Sequence, residues 1–561
     1  MGTSETFHAT SMGSFNTSSA AAHRPTYVVA AARGLQAFIL RSPRLRRMIG
    51  ASELIDQITG NLLGQTLSSL ALIEGQDYRV FNAVAGGVRL LFTRRLDAER
   101  FVAVWPLLVT RHAPGLEIVQ GLATLAPGGT IDTVIEAAER AAGAHRNLVW
   151  PELPVAGLAT TFCPQSGLPA QRYAAADREW LDAQALARER AVKDAREELL
   201  RRTVGHPEGW DEEDWERFPQ DIGAIAGEER RYVALVHVDA NEMAGRVVNF
   251  ARRLRDLPPE EIANRFRDFA GAVEQGTRQA IREALRPILQ AFPRPNVVPF
   301  RPVICAGDDF TALLQARFAL RFVRELLHAL PTAIANEFHR RFQDPELARL
   351  GRGVTASAGI VFAQATFPFA TAYEVCESLG KLAKDTTARK VSALALRRLT
   401  TPTVSDPDEM IVSGADPESA LRFTMNPYTV GPIPTDSQIA ESLPRLADLE
   451  ALVRSIAGPL RGPIRKLLLN PSPSAWQMEE GFRRLLEVWQ HRGRLDALAP
   501  PNQISQELGT QAAGLVALLR RLTGNPEDAT VFRTVRTPDR PASTPLYDAI
   551  QLLAVETVFE S

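Results

Sequence analysis

The chain has 561 residues, 45% hydrophobic and 23% charged, with 64 basic residues against 65 acidic ones. At about 150 residues per domain, that length holds several domains, each able to bury a core. The composition excludes a collagenous, disulfide-stapled or mostly disordered chain, and a net charge of −1 gives no bulk attraction to nucleic acid or membrane.

Cys163, Cys305 and Cys376 lie far apart and form no metal-ligating spacing, which fits a reducing, cytoplasmic setting. No apolar run is long enough to cross a bilayer, so no membrane partner is expected. Only five of the basic residues are lysines: Lys193, Lys381, Lys384, Lys390 and Lys466. Three of them cluster at 381–390, where arginine would be this chain's ordinary choice.

Residues 1–24 are rich in Ser, Thr, Ala and Gly and read as a disordered tail. TYVVAAA (26–32) reads as a buried strand, and 53–72 carries helical apolar spacing. YRVFNAVAGGVRLLFT (78–93) reads as a β-hairpin around Ala85-Gly86-Gly87. Residues 97–111 read as a helix that Pro106 kinks or starts, and 116–125 as a strand. The order is βαββαβ-like, a ferredoxin-type plan, for a first unit at 25–150. Residues 151–228 read as a linker with a charged, solvated helix at 177–202 and an acidic connector containing GWDEEDW. The basic run RSPRLRR (41–47) reads either as a solvated turn or as a contact for RNA or nucleotide.

The plan then repeats at 229–400. RYVALVHVDA (231–240) is a strand, 258–291 is helical, and 297–316 is a hairpin with Gly307-Asp308-Asp309 at its tip. A helix at 317–349, a strand at 353–363 and a closing helix at 369–390 follow. Residues 401–436 are rich in Pro, Thr and Asp and read as a linker; 437–561 reads as a helical C-terminal domain, with 547–559 as its last helix. The expected fold is α+β: two ferredoxin-like palm domains with helical insertions and a helical C-terminal domain.

Chemistry concentrates in the second unit. Asp239 ends an apolar strand, and Asp308 and Asp309 occupy the hairpin turn. In a ferredoxin-like sheet these strands are neighbours, so three carboxylates converge. Hard cations such as Mg²⁺ or Mn²⁺ take oxygen ligands and leave positions for water and phosphate. Two such ions about 3.5–4 Å apart activate a hydroxyl and stabilise a leaving pyrophosphate. Asp239 and Asp308 are the first candidates for ligands, with Asp309 a further ligand or a structural neighbour; Gly307 permits close backbone approach. Asp-Asp turns and strands ending in Asp also occur without metals. His237, on the same strand face as Asp239, reads as a core histidine.

These segments resemble the nucleotidyl-cyclase palm in the large subunit of type III CRISPR effector complexes, and more distantly the GGDEF diguanylate cyclases. The similarity rests on RYVALVHVDANEMAG (231–245), on ICAGDDF (304–310) against a Gly-Gly-Asp-Asp hairpin, and on TASAGIVFA (355–363) followed by GKLAK (380–384). In the first unit, RMIGASELIDQI (47–58) and AGGV (85–88) resemble the family's degenerate palm. The resemblance implies metal-dependent joining of ATP into cyclic oligoadenylates for antiviral defence, with effector subunits and guide or target RNA as partners. It implies catalytic Asp239, Asp308 and Asp309, a metal near the backbone of Ala240, and nucleotide contacts at Asn241, Gly307, Lys381 and Lys384. Gly86, Gly87 and Ser52 would face the acceptor nucleotide; for Ser52 and Glu53 a helix N-cap is the alternative.

The chain departs from the family in three ways. It has no His-Asp pair for an HD nuclease, Ala306 replaces a glycine, and TFCPQSGLPA (161–170) keeps a single cysteine, so no zinc is expected. Two other functions stay open: a palm scaffold without catalysis inside an RNA-guided complex, and a stand-alone cyclic dinucleotide synthase.

Overall fold

The strands follow the alternation of the sequence. Thr26–Arg33 (β1) places Tyr27 and Val29 on one face and Val28 and Ala30 on the other, and both faces are buried. Tyr78–Val84 (β2) and Gly87–Phe92 (β3) form the first hairpin, and Glu117–Thr124 (β4) completes an antiparallel sheet in the order β2-β3-β1-β4. Helices Leu35–Leu40 (α1) and Leu45–Gln57 (α2) follow β1; one π-helical turn, Ile58–Leu62, joins α2 to Leu63–Ser69 (α3). Arg95–His112 (α4) contains Pro106 in its interior. Ile131–Arg146 (α5), an amphipathic helix absent from the sequence expectation, packs against β4.

This computed structural model describes residues 24–148 and 160–400 apart from 176, 195–197 and 228–231, with shorter stretches beyond, chiefly 424–431, 443–456, 458–468 and 542–557. Of the tail expected at 1–24, only residue 24 is among them.

The insertion differs from the solvated helix expected at 177–202. A small hairpin, Arg172–Ala174 (β5) with Glu179–Leu181 (β6), precedes helix Ala183–Asp194 (α6); Glu198–Val204 (α7) follows. α6 packs on α2: Arg188 is buried, donates to the Phe38 carbonyl at 2.7 Å and lies over the Phe38 ring. Counting opposite charges along the helix overlooked its apolar stripe, in which Leu186, Ala191 and Val192 are buried. Two arginines of the basic run at 41–47 are likewise committed to the insertion. Arg47 is 1% exposed and bound by Glu179, Glu189 and Asp177, and Arg44 pairs with Asp177 and Glu179. The acidic connector folds into Glu212–Glu216 (α8), capped by Asp211, and Ile222–Ala226 (α9); Asp214 is fully buried against Arg217 and Arg294.

The second unit repeats the topology. Tyr232–Ala240 (β7) leads to Met243–Leu254 (α10) and the long Pro259–Ala291 (α11). Phe300–Ala306 (β8) and Asp309–Gln315 (β9) form the second hairpin, followed by Ala316–Arg341 (α12), Ala356–Gln364 (β10) and Phe369–Thr386 (α13). The sheet order β10-β7-β9-β8 matches β4-β1-β3-β2 of the first unit strand for strand. Two strands extend it: Ala393–Arg398 (β11), parallel to β10, and Tyr428–Thr429 (β12), paired with β11. β12 lies within the stretch read as linker at 401–436, and it is held there because the Tyr428 hydroxyl donates to buried Asp548 at 2.5 Å. Asp548 belongs to helix Leu546–Ala554, which forms within the expected last helix, near Leu446–Ser455 and Gly458–Leu468. The rest of the helical bundle expected across 437–523 lies largely outside the described residues.

The two units share their cores. On one side Tyr27, Val29 and Phe81 join Phe250 and Phe266 of the second unit. On the other, Phe38, Ile39 and Ile55 join Ile304, Tyr373, Cys376 and Leu379. α1 therefore sits between the first sheet and α13, beside the second hairpin.

Candidate active site

Strand pairing brings the carboxylates together. β7 and β9 are antiparallel neighbours in a register that sets Asp239 directly opposite Asp309. The turn between β8 and β9 consists of Gly307 and Asp308, with Ala306 opposite Asp309. Gly307 has φ +65°, a conformation that favours glycine, and the space where a Cβ would project is open. Ala306 closes β8 at an ordinary strand position, outside the left-handed region. Its methyl therefore meets no backbone strain.

α13 delivers the cation. The Lys384 ammonium pairs with Asp239 Oδ2. Helix and strand approach closely because position 359 is glycine: a Cβ there would lie 1.9 Å from the Cys376 carbonyl oxygen. Lys381, about one turn earlier, is exposed.

The electrostatics are those of crowded carboxylates. Burial, reinforced by the charge of Asp239, pushes Asp308 and Asp309 up to about 7. Lys384 opposes that rise at both. Asp309 Oδ1 is buried and receives no well-formed hydrogen bond; His237 Nδ1 stands 3.4 Å away. His237 is 7% exposed, hydrogen-bonded to Thr311 Oγ1 at 3.1 Å and set edge-on to Tyr373. Desolvation lowers its pKa, so the ring is neutral at physiological pH. It is thus both a core histidine and a neighbour of the site.

Among the described residues, no three His, Cys, Asp or Glu side chains stand as a ready-made metal cage. The donor set nevertheless fits a hard divalent cation. Mg²⁺ takes one or two carboxylates and fills its remaining positions with water and phosphate, and an undersatisfied buried carboxylate oxygen beside two crowded acids attracts such an ion.

The other sequence candidates divide. Asn241 is 2% exposed, and its side chain is committed to Thr355 Oγ1 at 2.9 Å and Ser357 Oγ at 3.1 Å, clamping the β7 exit to β10. Ala240 pairs with Ala356 and buries its methyl, leaving only its backbone carbonyl as a donor. Gly86 and Gly87 are buried; a Cβ at Gly86 would meet Ala32, Leu35 and Ile55 at 3.1–3.3 Å. The first hairpin is therefore sealed by its own unit, where the second is open. Ser52 and Glu53 lie inside α2, and neither caps it. Both are buried, and Glu53 Oε1 accepts from the Leu199 amide at 2.9 Å, capping α7.

Two neighbours of the carboxylates were not singled out from the sequence. Gln36 of α1 favours the charged form of Asp309, and Glu377 adds a negative charge felt by Asp309 and His237. Glu377 lies seven residues, two helical turns, before Lys384, a spacing that marks it on the same face. Gln36 had no such signal, since its contact crosses between units.

No family model and no curated protein matches the chain. Among solved structures, a chain of the Csm1-Csm4 cassette in complex with cA3 superposes with a TM-score of 0.49 at 12% identity, over 96% of this chain and 70% of that one. The corresponding cassette in complex with AMPPNP gives 0.47 at 12% identity, over 95% and 70%. Csm1 in T. onnurineus gives 0.46 at 13%, over 96% and 70%. The ligands are properties of those crystals. No described helix is long and apolar enough to cross a membrane.

Proposed function

We propose that the second unit is a metal-dependent nucleotidyltransferase that converts NTPs, ATP foremost, into a cyclic oligonucleotide second messenger in type III CRISPR-like antiviral defence. One observation carries this reading: adjacent strands set Asp239 opposite Asp309, with Asp308 in an open Gly307 turn and the Lys384 cation beside them. The sequence resemblance supplies the substrate and product classes.

Asp239 and Asp308 would hold Mg²⁺ or Mn²⁺, with Asp309 completing the acidic wall. Bound there, the cations supply acidification of an acceptor 3′-hydroxyl and neutralisation of the leaving pyrophosphate. The chain itself orients and stabilises. The open face of Gly307 lets a nucleotide approach the turn backbone. α10 starts three residues after Ala240 with no side-chain cap, so its first amides are left without a side-chain acceptor and suit phosphate oxygens. Lys384 offers charge to a triphosphate, with Lys381 about one turn before it on the helix. Other effector subunits and guide or target RNA are the proposed partners.

Asp308→Ala is expected to abolish nucleotide turnover in a radiolabelled-NTP assay with Mn²⁺; full turnover in that variant would remove the assignment. A scaffold without catalysis is the second reading, favoured by the sealed first hairpin at Gly86. It predicts metal-dependent nucleotide binding with no product even when partner subunits and target RNA are supplied.

A further inference from the structure

Lys384 raises a question of its own, because the oxygen it holds is one that a metal ligand must offer. Its ammonium sits on Asp239 Oδ2, and it moderates the charge of Asp308 and Asp309 as well. We propose that Lys384 has two working positions: on Asp239, where it holds the carboxylates together, and on the phosphates of the donor nucleotide once a divalent cation has taken Asp239. The proposal rests on reading the site as a metal-dependent nucleotidyltransferase and adds an exchange of cations as its first step.

Three observations support it. First, the helix cannot make the move. α13 is seated against β10 at Gly359, where even a Cβ would clash with Cys376, so any displacement of the charge belongs to the side chain. Second, the residue type suits exchange. A lysine is a compact charge on a flexible stem, whereas arginine grips a carboxylate with a rigid fork. This chain has 64 basic residues, and only five are lysines, yet one of those five stands here. Third, the pair is poised to exchange. The side chains are 20% and 33% exposed, so solvent weakens the ion pair, and a divalent ion competes with it effectively.

The scarcity of lysine makes the test direct. The full chain is treated with an amine-acylating reagent, and labelling at the five lysines is read by mass spectrometry, without additions, with Mn²⁺, and with Mn²⁺ plus a non-hydrolysable ATP analogue. Mn²⁺ binding is measured in parallel by calorimetry on wild type and Asp239→Asn. Labelling of Lys384 should rise several-fold with Mn²⁺ and fall again with the nucleotide, while exposed Lys390 changes little. Lys384→Met should tighten Mn²⁺ binding about five-fold, as expected for removal of a partly exposed ion pair, and weaken nucleotide binding. Lys390→Met, at an exposed lysine, should do neither. Mn²⁺ bound through Asp239 with Lys384 labelling unchanged overturns the exchange and leaves the nucleotidyltransferase reading standing. Equal effects of the two methionine variants also overturn it, by reducing Lys384 to a diffuse charge. Absence of Asp239-dependent Mn²⁺ binding removes both readings together.

Discussion

Asp308 and Asp309 are held near pH 7 by burial and by Asp239, and that shift has a thermodynamic sign. An aspartate raised in the folded state keeps a proton that the unfolded chain has already released, so stability falls as pH rises from about 4 to about 7. Thermal melting of the metal-free protein should therefore decline across that window. Asp308→Asn should melt higher than wild type at pH 8, with a shallower pH slope, by an amount on the order of 1–3 kcal/mol. Equal slopes would contradict the crowding. Glu53, raised to about 7 by its own burial, adds to the wild-type slope and remains in the variant, so the difference isolates the site. These three aspartates were legible in the sequence because their signal is local: a strand end and a two-residue turn. Gln36 was not, because nothing near it in sequence shows that α1 would reach Asp309. The clamp made by Asn241 was not legible either, because its partners, Thr355 and Ser357, lie more than a hundred residues away.

At the scale of elements, the site depends on how closely α13 lies on β10. Gly359→Ala should destabilise the protein by at least about 1–3 kcal/mol, since neither the Cys376 carbonyl nor the strand can yield freely. Denaturant unfolding measures this, and an unchanged midpoint would mean that the helix is less firmly seated than described. A second contact between elements is open to test. Glu53→Ala leaves the Leu199 amide buried without an acceptor and should cost about 1–3 kcal/mol, whereas Glu53→Gln keeps an acceptor and should cost less. Most strands and long helices could be read from apolar periodicity. The failures came where polarity misled. α6 carries enough charge to resemble a solvated helix, yet it buries Arg188 through the Phe38 carbonyl and ring. β11 and β12 were missed because short strands joined to an existing sheet are specified by that sheet's open edge.

At the scale of the molecule, the two units are bound by shared cores, and the insertion is tied to the first unit through buried Arg47. Arg47→Ala would leave Glu179, Glu189 and Asp177 crowded without their common partner and should destabilise the chain by about 3–5 kcal/mol. Hydrogen exchange should show lost protection in both β6 and α2; loss in β6 alone would indicate that the insertion docks by other means. The repeated 4-1-3-2 strand order was legible as a repeated pattern of strands and helices, but the shared core was not, since periodicity reports that a face is buried and not what buries it. The two units differ at their hairpins: one is sealed at Gly86, the other is open at Gly307 with three aspartates and a lysine. The most direct test of that division is product analysis. The purified chain is incubated with all four NTPs and Mn²⁺, alone and with partner subunits and target RNA, beside an Asp239→Ala/Asp308→Ala variant, and the products are read by mass spectrometry. The account predicts a cyclic oligonucleotide from the wild type and none from the variant. Product at equal yield from both, or none from the wild type under every condition, would contradict it.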